Sequence, residues 1–209
     1  AEVTGLNLAG GIGDADVAAL EDALAEHEVL VFRDQALTGE ELMTLGEKFG
    51  ALSVHPFSPN DEKNPALILF RNDENTPPWG TDVWHSDETF RKVPPLATML
   101  HALDVPKFGG DTMFASMTAA FEGLSDRMQH FLSGLEAEHD FVIFKALFGE
   151  TAEGREKLLK YEQEYPPALH PVVAAHPVKG RKLIFVNPQF TTGIKGMDAA
   201  ESRQLLTQL

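Results

Sequence analysis

At 209 residues, with 43% hydrophobic side chains and 14 Phe, the chain is long enough to bury a sizeable core without a disulfide or a structural metal. It has no cysteine, which excludes thiolate chemistry and fits a reducing compartment. A net charge of −15, with no local Lys/Arg run, argues against nucleic acid or an anionic membrane as partner but leaves room for a small anionic ligand. No apolar run approaches the roughly 18 residues of a membrane span, and the first residues show no signal-peptide pattern, so a cytoplasmic location is expected.

In chain order, the first helix is expected from residue 14 to about 26, with Val17, Leu20 and Leu24 on one stripe. Residues 29–32 read as a buried strand. Thr38 and Glu41 form a capping box that opens a second helix with Leu42, Leu45 and Phe49 on its apolar face, and Gly50 is a natural stop. Strand-like runs follow at 66–70, 97–103 and 111–115. Ser125 caps a helix carrying Met128, Phe131, Leu132 and Leu135. The charged stretch 155–164 reads as an exposed helix. Residues 171–175 and 182–186 flank a Lys179-Gly180 turn and predict a hairpin. Asp198 and Glu201 open a last helix with Leu205, Leu206 and Leu209. That helix has no Gly, Asn or basic last turn to close it, and the chain opens on Ala1; a single domain over 1–209 that lacks its C-terminal part is therefore expected.

The sharpest local feature is Trp84-His85-Ser86-Asp87. In an extended segment residues i and i+2 project to one face, so the His85 imidazole and the Asp87 carboxylate can reach one ion. Together they are two-thirds of the facial triad that holds non-haem Fe(II) and leaves positions open. Read alone, the same residues also fit a loop histidine bonded to a neighbouring carboxylate. Further on, Gly109-Gly110-Asp111-Thr112 permits a sharp turn and offers a hydroxyl for a carboxylate; an ordinary turn entering a strand fits it too.

These segments belong to an ordered set that resembles the taurine dioxygenase/2,4-D dioxygenase (TauD/TfdA-like) family of Fe(II)/2-oxoglutarate-dependent oxygenases. The set comprises Phe32-Arg33-Asp34-Gln35, Phe49-Gly50, His55-Pro56, Trp84 to Phe90 with Pro94-Pro95, Gly109 to Thr112, Gly134-Leu135 and His139-Asp140. It ends with His170-Pro171-Val172-Val173, His176-Pro177, Gly180-Arg181, Phe185-Val186-Asn187 and Phe190-Thr191-Thr192. The resemblance implies an α+β fold, a double-stranded β-helix (jelly-roll) core with flanking helices. It implies His85 and Asp87 as iron ligands, Thr112 as a contact for the distal carboxylate of 2-oxoglutarate, and His55, Thr81 and Phe190 as substrate-pocket residues. Ser58 and Thr81 differ from the residues of the taurine enzymes, which points away from taurine itself. The family's third ligand, a His in a Trp-Asp-Asn-Arg…His segment, and its 2-oxoglutarate-clamping Arg have no match here. His139, His170 and His176 are read as lying outside the iron shell, His139 as a structural histidine paired locally with Asp140. His27, His101 and His130 read as packing or surface residues.

The implied activity is hydroxylation of a small anionic organic substrate (sulfonate, sulfate ester or aryloxyalkanoate) by O2 with release of succinate and CO2, in a dimer or tetramer. Two alternatives stand beside it: a jelly-roll metal protein catalysing hydrolysis or isomerisation, and a catalytically silent binding protein.

Overall fold

The computed structural model describes residues 1–72 and 83–209. It is an α+β arrangement that divides into two compact units, one formed by Ala1–Phe70 with Ala97–Ser116, the other by Arg71–Leu96 with Met117–Leu209. Among the described residues no helix is long and apolar enough to cross a membrane.

In the first unit, strand β1 (Glu2–Val3) pairs in parallel with β2 (Val31–Phe32), and helix α1 (Asp14–His27) connects them. Val17 and Leu20 of α1 pack with Leu8, Ile12 and Leu45 into one core, sealed by Val3, Leu6, Leu30, Phe32, Leu37 and Phe49. The helix ends where Glu28 turns left-handed at φ 64° and sends its N–H to the Leu24 carbonyl. Helix α2 (Gly39–Glu47) begins on the expected box: Glu41 N–H donates to Thr38 Oγ1 at 3.2 Å, and Thr38 N–H to Glu41 Oε2 at 2.8 Å. Such a box satisfies two donors at the helix start that have no partner within the helix. Gln35 joins the preceding loop to this core, accepting from Leu8 N–H at 2.8 Å and donating to the Leu6 carbonyl at 3.2 Å.

Three strand expectations need correction. Residues 66–70 make one isolated bridge, Ile68 with Asn60, and neither 97–103 nor 111–115 forms a strand. A strand exists only through hydrogen bonds to a neighbour, and none of the described residues offers these two segments a ladder. Leu100, Leu103, Met113 and Phe114 are accordingly exposed. The turn expectation between them holds, with Gly109 at φ 79° and Gly110 at φ 74°, in the region that favours glycine.

The second unit is organised around an antiparallel sheet of order β4-β3-β7, with β3 (Glu136–His139) central between β4 (Ala168–Pro171) and β7 (Thr191–Ile194). The β3–β4 register sets Ala137 opposite His170 and His139 opposite Ala168. A hairpin of β5 (Val173–Ala175) and β6 (Lys182–Ile184) closes as expected, its turn made by Gly180 at φ 68° and by the His176 ring, whose Nδ1 accepts from Val178 and Lys179 N–H. Helix α3 (Met117–Glu122) lies on β6 and is held by Arg181 to Glu122 at 3.2 Å and by Lys182 over the Phe121 ring. Helix α4 (Asp126–Leu132) starts at its Ser125 cap; Leu132 is fully buried while Phe131 of the expected apolar face is exposed. Helix α5 (Val142–Lys145) and a short 3-10 turn (Ala146–Phe148) lead into α6 (Ala152–Glu164), which is exposed and carries the i,i+4 pairs Glu153–Lys157 and Glu156–Lys160. The last helix, α7 (Ala199–Gln208), starts on Asp198 and Glu201 and packs Leu205 and Leu206 against the core of Leu132, Ala137, Val172 and Ile194.

Gly154 is buried in the first turn of α6, and a Cβ there would collide with the Phe148 carbonyl oxygen. Because the obstructing atom is backbone, relief requires the 3-10 turn to move. Gly154→Ala is expected to destabilise the chain by about 1–3 kcal/mol in urea unfolding; a variant as stable as the parent would show that this contact is not tight.

Candidate functional site

The site is built on residues 83–91 of the second unit, which bend and turn without regular structure. His85 Nδ1 lies 2.7 Å from the Val83 carbonyl oxygen. A carbonyl can only accept, so Nδ1 carries the hydrogen and, in the neutral ring, the lone pair sits on Nε2. That atom is 3.4 Å from Asp87 Oδ1. The two side chains are partly exposed, 30% and 46%, so a dissolved ion can reach them. The hydrogen bond to Asp87, aided by the Val83 carbonyl and the charge on Asp87, raises the His85 pKa above its ordinary value against the opposing effect of desolvation. Below the raised pKa a proton bridges Nε2 and Oδ1; in the neutral ring the same two lone pairs are of the kind that could serve a divalent metal.

Immediately after Asp87 the chain turns sharply. Glu88 is buried and left-handed at φ 51°, a conformation that costs a non-glycine residue about 1–2 kcal/mol. It is held by its ion pair with Arg91 and by Arg91 N–H on the Glu88 carbonyl at 2.9 Å. Phe90 then enters an aromatic cluster, its ring 6.1 Å from Phe141, 6.4 Å from Phe144, 5.7 Å from Tyr165 and 5.4 Å from Phe190. Three of these four contacts are edge-on, the arrangement ring quadrupoles favour.

Between Glu88 and Phe90, Thr89 is 1% exposed yet polar, and its partners come from three other elements. Its Oγ1 lies 3.0 Å from His139 Nδ1 on β3 and accepts from Asn187 Nδ2 at 3.1 Å. His170 on β4 directs Nε2 to two backbone carbonyls of the turn, Thr89 at 2.8 Å and Arg91 at 3.0 Å. Phe185 stacks on His139 and meets His170 edge-on. His139 is thus structural, but its partners are Thr89 and, through Nε2 at 3.4 Å, Thr191, where Asp140 was expected. Asp140 instead bonds Lys145 at 2.9 Å, which also reaches Glu162 at 3.2 Å. Sequence reasoning missed this buried polar group. The signal was the alternation in Glu136-Ala137-Glu138-His139, which puts His139 on the same inward face as Ala137.

The other expected site residues are placed as follows. Phe190 is 2% exposed and packs on Phe90 and Phe144, its N–H bonded to Asn187 Oδ1 at 2.9 Å. His55, in the first unit, has Nδ1 bonded by Phe57 N–H at 3.2 Å and by the Ser58 hydroxyl at 2.8 Å, which directs the ring hydrogen to Nε2. Thr112 is exposed in the first unit, after the two left-handed glycines. Thr81 lies outside the described residues. The structure brings His85 and Asp87 together. Among the described residues no group of three His, Cys, Asp or Glu side chains could hold a metal ion.

The family model for taurine catabolism dioxygenase TauD, TfdA family, matches residues 1–209, and the chain belongs to that family. It is 33% identical over 223 residues to an alpha-ketoglutarate-dependent sulfonate dioxygenase of Saccharomyces cerevisiae, covering all of this chain and 52% of that protein. It is 30% identical over 225 residues to an alpha-ketoglutarate-dependent 2,4-dichlorophenoxyacetate dioxygenase of Cupriavidus pinatubonensis, of which it covers 77%. Among solved structures, AAD-2 in complex with Mn(II) and N-oxalylglycine superimposes with a TM-score of 0.73 at 27% identity, over 99% of this chain and 72% of that one. The chain thus spans about half the length of the yeast relative and about three quarters of the bacterial one.

Burial chiefly, with the charge of His170 adding and the Phe185 carbonyl opposing, lowers the His139 pKa from 6.5 to about 4. The folded value lies below the unfolded one, so between these limits the unfolded chain binds more protons. The resulting stability, on the order of 3 kcal/mol, is complete above pH 6.5 and lost as pH falls towards 4. Urea unfolding of the parent and of His139→Gln across that range should show the difference between them shrinking as pH falls; a constant difference would contradict this titration.

Proposed function

We propose that this chain supplies the metal-binding turn of an Fe(II)- and 2-oxoglutarate-dependent dioxygenase that hydroxylates a small anionic organic substrate of sulfonate, sulfate ester or aryloxyalkanoate type. The observation that carries the reading is His85, tied by Nδ1–H to the Val83 carbonyl so that Nε2 sits 3.4 Å from Asp87 Oδ1. Fixing one ring nitrogen on a carbonyl so that the other can ligate is how metal-binding histidines are oriented. The donor set, imidazole nitrogen and carboxylate oxygen without sulfur, suits Fe(II). Family membership supports the reaction class and 2-oxoglutarate as co-substrate.

When bound, Fe(II) with 2-oxoglutarate and O2 supplies the oxidising power that would place one oxygen atom of O2 in a substrate C–H bond and the other in succinate, with release of CO2. The residues of this chain provide position and charge. His85 and Asp87 hold the ion, the carboxylate offsetting part of its charge. The Thr112 hydroxyl donates to the distal carboxylate of 2-oxoglutarate. His55 offers an Nε2–H to the anionic group of the substrate, its Nδ1 already bonded by Ser58 and Phe57. Phe190, buried against Phe90 and Phe144, backs the substrate side in this reading, and Thr81 is a further substrate contact. A jelly-roll core, implied by the family resemblance, and a cytoplasmic setting complete the proposal.

A metal-binding protein without turnover is the second reading. It is favoured by the finding that only two donors converge among the described residues. Succinate release from 2-oxoglutarate, measured in the full-length gene product with Fe(II), O2 and a panel of sulfonates, sulfate esters and aryloxy acids, separates the two. The oxygenase reading predicts turnover, its abolition in His85→Ala and Asp87→Ala, and about tenfold weaker use of 2-oxoglutarate in Thr112→Ala, the loss of a hydrogen bond to a charged group. His55→Ala should raise KM for the substrate and leave that for 2-oxoglutarate unchanged. Iron bound without any succinate formed would favour the second reading.

A further inference from the structure

The polar group beneath the turn has no necessary place in a core that already buries Phe90, Phe141, Phe144 and Phe190. Apolar side chains would anchor a loop there without the demand that every hydrogen bond be satisfied. A polar network instead fixes orientation, because each donor and acceptor accepts only one arrangement of its partners.

The arrangement here is directed at the backbone of the donor turn. Thr89 follows Asp87 by two residues, and Arg91 by four. His170 Nε2 is bonded to both of their carbonyl oxygens, so one imidazole on β4 holds the turn at two points. Thr89 Oγ1 is held from β3 by His139 and from the loop before β7 by Asn187. Asn187 is itself oriented, since its Oδ1 accepts from Gln189 N–H at 3.1 Å and Phe190 N–H at 2.9 Å and its own N–H donates to Thr191 Oγ1 at 2.9 Å. The side chains that complete the turn are thus carried by a sheet and its adjoining loop, while His85 and Asp87 have no regular element of their own.

We propose that Thr89, His139, His170 and Asn187 are positioning residues for the His85–Asp87 donor pair, their hydrogen bonds setting the separation of the two donors and hence the affinity for a divalent metal. This rests on the reading above that the pair binds metal. Partners that orient ligands are typically worth about 10–100-fold in metal affinity.

The test is Mn(II) binding by the full-length gene product, followed by the EPR signal of the free ion, with urea unfolding measured in parallel. Thr89→Val keeps the shape of the side chain and removes the hydroxyl; it should weaken Mn(II) by about tenfold or more. Thr89→Ser restores the hydroxyl and should restore the affinity. Leu132→Ala, in the core of the same unit and with no hydrogen-bonding side chain to give the network, should lower stability and leave Mn(II) affinity unchanged. Should Thr89→Val fail to fold, Asn187→Ala decides in its place, with weakened binding expected. Unchanged affinity in the network variant, or a loss matched by Leu132→Ala, would overturn this inference alone. Equal Mn(II) binding by the parent and His85→Ala would overturn the metal reading and this inference with it.

Discussion

A single hydrogen bond decides what His85 can do. Its Nδ1–H is committed to the Val83 carbonyl at 2.7 Å, which assigns the remaining lone pair to Nε2 and turns it towards Asp87. Were the hydrogen on Nε2 instead, the neutral ring would present an N–H to the carboxylate, and the two would form a local hydrogen bond with no lone pair left for a shared ion. The Val83 bond makes the two donors convergent. It also makes their separation a property of backbone geometry, because the carbonyl, the imidazole and the carboxylate all sit within five residues.

That dependence on backbone explains the investment around the turn. A buried non-glycine residue at φ 51°, an ion pair from Glu88 to Arg91, an aromatic cluster about Phe90 and a polar network about Thr89 all act on residues 88–91. The aromatic cluster contributes burial and the polar network contributes orientation. Their division of labour follows from the physics of each: apolar contact is non-directional, whereas a buried hydrogen bond is costly unless its geometry is met. The low His139 pKa is a consequence of the same burial.

Local signals in the chain were readable where they are self-contained. The Thr38–Glu41 and Asp198–Glu201 boxes, the apolar stripe of α7 and the β5–β6 hairpin each need only near neighbours, and each appears as expected; on α1, Val17 and Leu20 are buried as expected but Ala25 takes the place of Leu24. The runs 97–103 and 111–115 carry strand composition but no described partner, and composition cannot supply a ladder. Strand β3 was missed for the opposite reason: its inward residues are Ala137 and His139, too small or too polar to read as a buried face. The His85-x-Asp87 spacing was enough to expect the two side chains within reach of each other, as a metal pair or as a loop histidine bonded to a carboxylate, whereas the Thr89–His139–His170 network joins residues 50 and 81 positions apart and leaves no local trace.

The most direct examination of the donor pair is a crystal structure of the full-length gene product grown with Mn(II), with data collected for anomalous scattering. The account predicts an anomalous peak within bonding distance of both His85 Nε2 and Asp87 Oδ1, with the Nδ1–Val83 carbonyl bond retained. A peak elsewhere, or a His85 ring flipped to ligate through Nδ1, would contradict it.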